Sequence, residues 1–195
     1  MSAFAQMPTM ERTMNEFDFC PKCGSKKIQF VEGKRWICSD CGLDLYNNVA
    51  AAVGLIICDA DGNVFFETRA KNPRKGFLAL PGGFCNPDES AEEGAIRECF
   101  EETGLRVEAA SLKFIASFPN TYEYKNFFYK TCDIFFEAKV QLEKGKKLLD
   151  AVLADKNEVS EVSIKKISSQ KDIDDLPLAF DSAKKALSAW LKNKI

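Results

Sequence analysis

Three glutamates near the middle of the chain have the spacing that a divalent metal site requires. Glu98, Glu101 and Glu102 lie in a segment of helical periodicity, and residues three or four apart on a helix share one face. Like charges so placed repel one another, and a hard cation such as Mg²⁺, which prefers oxygen ligands, would relieve the repulsion. The alternative is an acidic helix face that is only solvated. The metal interpretation favours chemistry on a phosphate-bearing substrate.

Four cysteines form a second candidate metal site. They stand in two CxxC pairs, each followed by Gly and separated by fourteen residues: Cys20, Cys23, Cys38 and Cys41. Two matching pairs suit tetrahedral Zn²⁺ better than the alternative, a thioredoxin-like redox pair. Four protein ligands leave no open position, so the predicted zinc is structural and supplies folding free energy to a short segment. The other cysteines are interpreted as buried thiols: Cys58, Cys85, Cys99 and Cys132.

The composition restricts the possible classes of function. The chain has 195 residues, 46% of them hydrophobic, which suffices for one catalytic domain and a smaller unit. A net charge of −2 without a long basic run argues against duplex nucleic acid as a partner. The absence of histidine excludes Ser-His and Cys-His catalysis. No signal-peptide core or membrane-length apolar run occurs, so we expect a cytoplasmic protein without a membrane partner.

The pattern of apolar residues predicts the elements before the glutamates. Strands at 27–31 and 34–37 form a predicted hairpin between the two cysteine pairs. The near-continuous apolar run at 49–59 predicts a strand buried on both faces, and a second strand follows at 63–69. Three regions are predicted from the change in composition: an N-terminal arm at 1–17, a zinc ribbon at 18–46 and a catalytic domain at 47–195.

A predicted helix positions the glutamates, beginning after the N-cap Ser90 and ending at Gly104. Its predicted buried face consists of the residues at helical spacing: Ala91, Ala95, Ile96, Cys99 and Phe100. Two long strands at 112–118 and 127–140 and an amphipathic helix at 180–194 follow, while the charged stretch at 141–157 is ambiguous. This order of elements predicts an α/β or α+β sandwich with a ribbon attached.

The segment from Gly83 to Leu105 resembles the Nudix box, G-x5-E-x7-R-E-U-x-E-E-x-G-U, where U is aliphatic. Every glycine, glutamate and arginine of the pattern is present, and Cys99 stands where an aliphatic residue is usual. So many constrained positions over one segment make the match specific. The resemblance implies an α/β class fold, the Nudix α/β/α sandwich with a mixed sheet, and hydrolysis of phosphoric anhydride bonds with Mg²⁺ or Mn²⁺.

The resemblance also implies roles for individual residues. The implied metal ligands are the glutamates of the box and one carbonyl: Glu98, Glu101, Glu102 and the carbonyl of Gly82. Glu102 is in addition the first candidate for the base or for positioning water. Arg97 would orient the glutamates, and Glu89 would hold the loop before the helix. Gly83 and Gly104 are structural positions of the box.

A four-cysteine ribbon before the catalytic domain is similar to that of NADH-pyrophosphatase-like Nudix proteins. By this resemblance Tyr46, five residues after the last cysteine, would contact substrate, and a distal glutamate, Glu158 or else Glu161, would be a further metal ligand. A homodimer is also implied. The S-Q-P-W-P-F-P array of NADH pyrophosphatases is replaced by SFPNTY at 117–122. This departure leaves the substrate open among ADP-ribose, NAD(H), FAD and related diphosphates.

Two further groups of side chains are candidates for binding the nucleotide. Three aromatic residues would stack on a base, or else pack in the core or at a dimer contact: Tyr122, Tyr124 and Phe127. Four basic residues would form a phosphate-binding lip or an ordinary solvated loop: Arg69, Lys71, Arg74 and Lys75. Both interpretations of each group stay open at this point.

Two functions of different classes fit these features. One is a Mg²⁺-dependent enzyme that cleaves a nucleotide diphosphate into a nucleoside monophosphate and a phosphorylated fragment. The other is a regulatory module that senses a nucleotide and uses the ribbon to contact a partner. The box retains all of its carboxylates, which favours the enzyme.

Overall fold

The computed structural model describes residues 17–124 and 127–194, without the side chain of Phe127. The predicted N-terminal arm therefore lies outside the described residues, apart from Phe17. The chain divides into two compact units. One holds the residues up to Asn48 together with Glu123–Tyr129, and the other holds Val49–Tyr122 and Lys130–Ile195.

An antiparallel sheet of three short strands forms the described part of the ribbon: β1 (Ile28–Val31), β2 (Arg35–Cys38) and β3 (Asp44–Tyr46). The β1–β2 hairpin agrees with the prediction, whereas β3 was not predicted because three residues show no period. Trp36 of β2 is 5% exposed, and the rings of Phe17 and Phe30 lie 5.0 and 4.8 Å from its ring. A cluster of this size is a small core, which suits a fold that a metal stabilises.

Two further sheets of three strands belong to the rest of the described chain. One has the order β4 (Ala50–Ile57), β8 (Phe127–Ala138), β7 (Lys113–Tyr124), and the other has the order β6 (Leu78–Ala79), β5 (Val64–Arg69), β9 (Val159–Lys165). β4 runs parallel to β8, as the apolar run of β4 suggests. β5 is antiparallel to both β6 and β9. The strand arrangement is therefore mixed, as predicted.

Helices pack on both sides of these strands: α1 (Ala91–Thr103), α2 (Gln170–Asp174) and α3 (Asp181–Lys192). Neighbouring residues of β5 point to opposite faces of their sheet, and each face packs against different helices. Phe65 packs in the core that contains Ala95 of α1, and Phe66 packs in the core that contains Leu187 and Trp190 of α3. The predicted fold, an α/β/α sandwich with a ribbon before it, is confirmed. No helix in the described ranges is long and apolar enough to cross a membrane.

Elements β7, β9 and α2 also depart from the prediction. β7 continues past the predicted end at residue 118 and through Pro119 to Tyr124, because β7 is an edge strand where a residue without an N–H is tolerated. β9 and α2 had no predicted counterpart. The sequence of β9, VSEVSIK, alternates only in part, and a helix of five residues is too short to show a period.

Candidate active site

Helix α1 is fixed at both ends and along one face. The Ser90 side chain accepts a hydrogen bond from the Glu93 N–H, and the Glu93 carboxylate accepts one from the Ser90 N–H, which completes a capping box. Gly104 ends the helix at a φ of 71°, a conformation that glycine adopts without strain. Ala95 and Cys99 are fully buried against the sheet. These contacts determine where the glutamates of α1 point, and Cys99 serves packing.

The predicted buried face of α1 was wrong at Phe100. This side chain is 46% exposed, and the Arg106 guanidinium lies 4.9 Å from its ring centroid. The buried line of α1 instead passes through Gly94, Ala95, Cys99 and Thr103. Phe100 lies about 100° around the helix from Cys99, which carries it past the edge of the apolar face.

Arg97 links the glutamates of α1 to the loop before the helix. Its Nε and Nη2 donate to the two carboxylate oxygens of Glu89 at 3.0 and 2.5 Å, and Nη2 also donates to the Phe84 carbonyl at 3.0 Å. Its Nη1 donates to Glu98 and Glu101 at 2.8 and 3.0 Å. All five N–H donors of the guanidinium are therefore engaged. The hydrogen bonds from Arg97 lower the pKa of Glu89 to about 2, so Glu89 stays ionised as the anchor.

Glu98 and Glu102 converge on the turn formed by Pro81, Gly82 and Gly83. The Glu98 carboxylate lies so close to Gly83 that a Cβ there would be 2.7 Å from it. Glu102 Oε2 accepts a hydrogen bond from the Gly82 N–H at 2.8 Å. Glu101, bound to Arg97, has a side chain that is 57% exposed. The structure thus brings Glu98 and Glu102 to one place and leaves Glu101 on the solvent side.

The glycine turn is fastened to β4. The carbonyls of Pro81 and Gly83 accept hydrogen bonds from the N–H groups of Leu55 and Val53, both at 2.8 Å. The role of the Gly82 carbonyl as a metal ligand stays a prediction.

Alanine at the two glycines should have different consequences. At Gly82 the φ is 150° and a Cβ would lie 2.0 Å from the Val53 carbonyl oxygen, so Gly82→Ala should lower the free energy of unfolding by about 1–3 kcal/mol. At Gly83 the added methyl meets the end of the Glu98 side chain, so Gly83→Ala should fold but lose affinity for a divalent cation. Thermal denaturation and Mn²⁺ titration measure both effects. Wild-type Mn²⁺ affinity in Gly83→Ala would contradict the placement of Glu98.

Glu102 lies beside a second buried carboxyl, Glu67 of β5, which was not predicted from the sequence. Glu67 is 3% exposed, and burial, followed by the neighbouring Glu102, raises its pKa well above the ordinary value. Burial also raises the pKa of Glu102, to about 8, against the opposing effect of the Gly82 N–H. Glu67 lies two positions after Phe65 and therefore points to the same face of β5. An acid on the apolar face of a strand was therefore the signal that could have revealed it.

The two candidates for the distal glutamate have different surroundings. The Glu158 carboxylate pairs with the Lys71 ammonium group. Burial is the main cause of the raised pKa values of Glu67 and Glu102, and the negative charge of Glu158 adds to it. Glu158 is therefore near these two carboxyls. Glu161 is exposed on β9, opposite Thr68. The structure therefore brings Glu158 to the carboxylate group, and its ligation of metal stays a prediction.

A cavity of about 120 Å³ lies beside the glycine turn. Gly83 forms part of its wall and also contacts Glu98, so the cavity adjoins the carboxylates. The ring of Tyr122 lies 5.6 Å from that of Phe180, and the Arg69 guanidinium lies 5.3 Å from the same Phe180 ring. Two predicted substrate-binding residues, Arg69 and Tyr122, thus line one cavity.

Asp133 of β8 provides a buried acceptor in the wall of this cavity. The residue is 8% exposed. Its Oδ1 accepts a hydrogen bond from the Thr131 hydroxyl at 2.6 Å, and its Oδ2 accepts from the Asn120 amide at 2.9 Å and the Ser182 hydroxyl at 2.6 Å. A carboxylate with these three donors keeps capacity for one more on Oδ1. The sequence did not reveal Asp133, because its partners come from distant parts of the chain.

Three predicted substrate-binding residues are not among the described residues that line the cavity. Arg74 is exposed, with its guanidinium 5.9 Å from the Phe77 ring. Tyr46 and Tyr124 are 52% and 43% exposed and belong to the ribbon-containing unit. Substrate contact by these residues stays a prediction.

The cysteines of the ribbon converge as a separate group. Four Sγ atoms lie within 4.8 Å of one another: those of Cys20, Cys23, Cys38 and Cys41. The Cys20–Cys41 and Cys23–Cys38 sulfur distances are both 3.7 Å. A tetrahedral Zn²⁺ with bonds of about 2.3 Å requires sulfurs about 3.8 Å apart. The donor set and its spacing fit a closed zinc site.

The fold and the site define a class of protein: an α/β/α sandwich that holds a helical carboxylate cluster against a Gly-Gly turn and beside a cavity. The NUDIX domain family model matches residues 49–191. This match includes the helix, the turn and the cavity, and it covers most of the chain. The chain belongs to the Nudix family.

Similar proteins are found among curated sequences and among solved structures. An ADP-ribose pyrophosphatase of Methanocaldococcus jannaschii is 43% identical over 76 residues, which are 39% of this chain and 44% of that protein. An NAD-capped RNA hydrolase of Schizosaccharomyces pombe is 31% identical over 109 residues, 49% of this chain and 29% of that protein. The chain thus spans less than half the length of these relatives. The crystal structure of a Nudix hydrolase from Nitrosomonas europaea has a TM-score of 0.63 at 25% identity, covering 90% of this chain and 91% of that one.

Proposed function

We propose that this chain is a Mg²⁺- or Mn²⁺-dependent pyrophosphohydrolase. Its substrate is a nucleoside diphosphate linked to another moiety, such as ADP-ribose, NAD(H) or FAD, and its products are a nucleoside monophosphate and a phosphorylated fragment. The names of two relatives, an ADP-ribose pyrophosphatase and an NAD-capped RNA hydrolase, support this class of substrate. So does the intact set of carboxylates in the box.

The convergence of Glu98 and Glu102 at the glycine turn is the observation that carries this proposal. Carboxylate and carbonyl oxygens are the donors that Mg²⁺ and Mn²⁺ prefer. Arg97 fixes Glu98 through a 2.8 Å hydrogen bond, so the donors are oriented in advance. A bound divalent cation would screen the charge of the diphosphate and lower the pKa of an attacking water.

Glu102 is the proposed proton acceptor for the attacking water. Its Oε2 accepts a hydrogen bond from the Gly82 N–H, which fixes the direction of the carboxylate. Burial raises the pKa of Glu102 toward neutrality, and a base works best when its pKa lies near the working pH. Arg97 donates hydrogen bonds to Glu89 and to the Phe84 carbonyl. These bonds hold the loop before the helix against α1. Glu101 and Glu158 complete the proposed oxygen ligands.

The cavity beside Gly83 is the proposed site of the nucleobase. Tyr122 and Phe180 offer aromatic surface to a planar ring, and Asp133 offers an acceptor to an N–H group on its edge. An amino-bearing base such as adenine fits this pattern. Because Gly83 lies between the cavity and Glu98, a base in the cavity places the attached phosphates toward the carboxylates. Arg69 would then contact the nucleotide as well.

Further proposals concern the zinc, the location, the assembly and the substrate contacts of the protein. We propose one structural Zn²⁺ in the ribbon, action in the cytoplasm, and a homodimer, the last from the resemblance to NADH-pyrophosphatase-like proteins. Tyr46, Tyr124 and Arg74 keep their proposed substrate contacts. The absent S-Q-P-W-P-F-P array argues against NADH as the preferred substrate.

A panel of diphosphate-linked nucleotides tests the proposal. The full chain is incubated with ADP-ribose, NADH, FAD and an NAD-capped oligonucleotide, with Mg²⁺ or Mn²⁺ and with EDTA as the control, and the products are separated by chromatography. We expect metal-dependent release of AMP from at least one compound. Binding of a nucleotide in calorimetry without cleavage of any compound would contradict the enzyme and favour the nucleotide-sensing module.

A further inference from the structure

We propose that Glu67 of β5 is a further oxygen ligand of the divalent cation held by the glutamates of α1. The inference rests on the proposed function, because it assumes a cation at Glu98 and Glu102. It goes beyond the Nudix box, since Glu67 lies sixteen positions before Gly83. The strand, and not only the helix, would then contribute to the metal site.

The burial of Glu67 is the first observation behind this inference. Its side chain is 3% exposed, and its Oε1 is buried without a hydrogen-bond partner in the part of the chain that the structure describes. A carboxyl oxygen removed from water without a partner is costly to the folded protein. A cation bound at this oxygen would offset that cost.

The direction of the Glu67 side chain is the second observation. Alternation along β5 puts Glu67 on the same face as Phe65, which packs against Ala95 and Cys99 of α1. The Glu67 carboxyl is an immediate neighbour of the Glu102 carboxyl. Glu67 therefore faces the α1 carboxylates from the opposite wall of the site.

The charges around Glu67 are the third observation. Its cross-strand neighbours, Ala79 and Val162, are apolar. The Arg69 side chain, two positions along β5, donates its Nε–H to the Pro73 carbonyl at 2.8 Å. A divalent cation beside Glu67 and Glu102 would neutralise these two carboxyls together.

A neutral acid that donates a hydrogen bond to Glu102 is the alternative role for Glu67. Glu67→Gln separates the two roles, because glutamine keeps the shape and a hydrogen-bond donor but has no carboxylate. Glu67→Met removes both functions and fills the same buried space with an apolar chain. If Glu67 only donated a hydrogen bond, Glu67→Gln would bind the cation as the wild type does.

Mn²⁺ binding to the full chain, without nucleotide and with zinc retained in the ribbon, tests the inference. We expect Glu67→Gln and Glu67→Met to weaken Mn²⁺ affinity in calorimetry by about 10–100-fold. Glu92→Gln, an exposed glutamate in the first turn of α1, is the matched control and should bind as the wild type does. The metal-free Glu67→Met protein should also melt at a higher temperature than the metal-free wild type and gain less from Mn²⁺.

The outcomes separate this inference from the proposed function. Wild-type Mn²⁺ affinity in both Glu67 variants, together with its loss in Glu102→Gln, would reject the role of Glu67 and keep the metal site on α1. A wild-type chain that bound no Mn²⁺ would overturn the metal site itself, and the role of Glu67 with it. Weakened binding in both folded Glu67 variants, with Glu92→Gln unchanged, would establish the ligand.

Discussion

Glu102→Gln is expected to reduce kcat by about 10²–10⁴-fold while the fold survives. The substitution removes the proposed proton acceptor and one charged oxygen of the metal site, yet it preserves the shape of the side chain. It also removes a buried carboxyl beside Glu67, so the metal-free variant should be at least as stable as the wild type. Steady-state turnover of the preferred nucleotide from the panel, with thermal denaturation alongside, measures both effects.

Glu92→Gln is the matched control for this loss of turnover. It makes the same chemical change on the same helix, at an exposed position that takes no part in the proposed site. Its turnover should equal that of the wild type. A Glu102→Gln protein with near-normal hydrolysis would reject the role assigned to Glu102, and a parallel result for Glu98→Gln would reject the carboxylate site.

The pH dependence of stability provides a second readout for Glu102. Burial raises its pKa from 4.5 to about 8 in the folded protein, so the folded state binds this proton more tightly than the unfolded state does. The associated stability is complete below pH 4.5 and is lost as pH rises through about 8. Metal-free wild type should lose stability in this window, and Glu102→Gln should lose less, with Glu67 contributing in the same direction.

Cys38→Ser is expected to eliminate zinc binding and to unfold the ribbon. Cys38 is fully buried, and its Sγ is one of the four that converge. Structural Zn²⁺ in small domains contributes about 10–16 kcal/mol of apparent binding free energy at neutral pH, far more than the small core around Trp36 can replace. Metal analysis should fall from about one zinc per chain to none, and the amides of β1 to β3 should lose protection from hydrogen exchange.

Cys132→Ser is the control for the zinc experiment. It makes the same substitution in β8, at a cysteine outside the cluster of four, and should retain full zinc content. Wild-type protein purified under reducing conditions without zinc, but with protected amides in β2, would contradict the structural role of the metal.

Helix α1 was well predicted from the sequence because its signals are local. Ser90 and Gly104 lie next to the residues they cap, and the spacing of Glu98 and Glu102 fixes their common face. These relations need no knowledge of the rest of the fold. The same holds for the cysteine pairs, whose glycines close turns within five residues.

The rest of the site could not be predicted because it depends on contacts between distant segments. Glu67 is conspicuous in the sequence only as an acid among apolar residues, and its neighbour Glu102 is known only once β5 is packed against α1. Asp133 gains its partners only when β7, β8 and α3 meet. The spacing alone predicts that Phe100 is buried. Tertiary packing determines how wide the buried face of α1 is, and Phe100 lies outside that face at the surface.

The hydrogen bond from Ser182 to Asp133, at 2.6 Å, joins helix α3 to strand β8. Ser182 stands in the first turn of α3, so docking of the C-terminal helix and organisation of the cavity wall are linked equilibria. If a nucleotide that binds this wall also strengthens the attachment of α3, then firmer attachment of α3 must strengthen nucleotide binding by the same coupling free energy. Hydrogen exchange of α3 should therefore change when the cavity is filled.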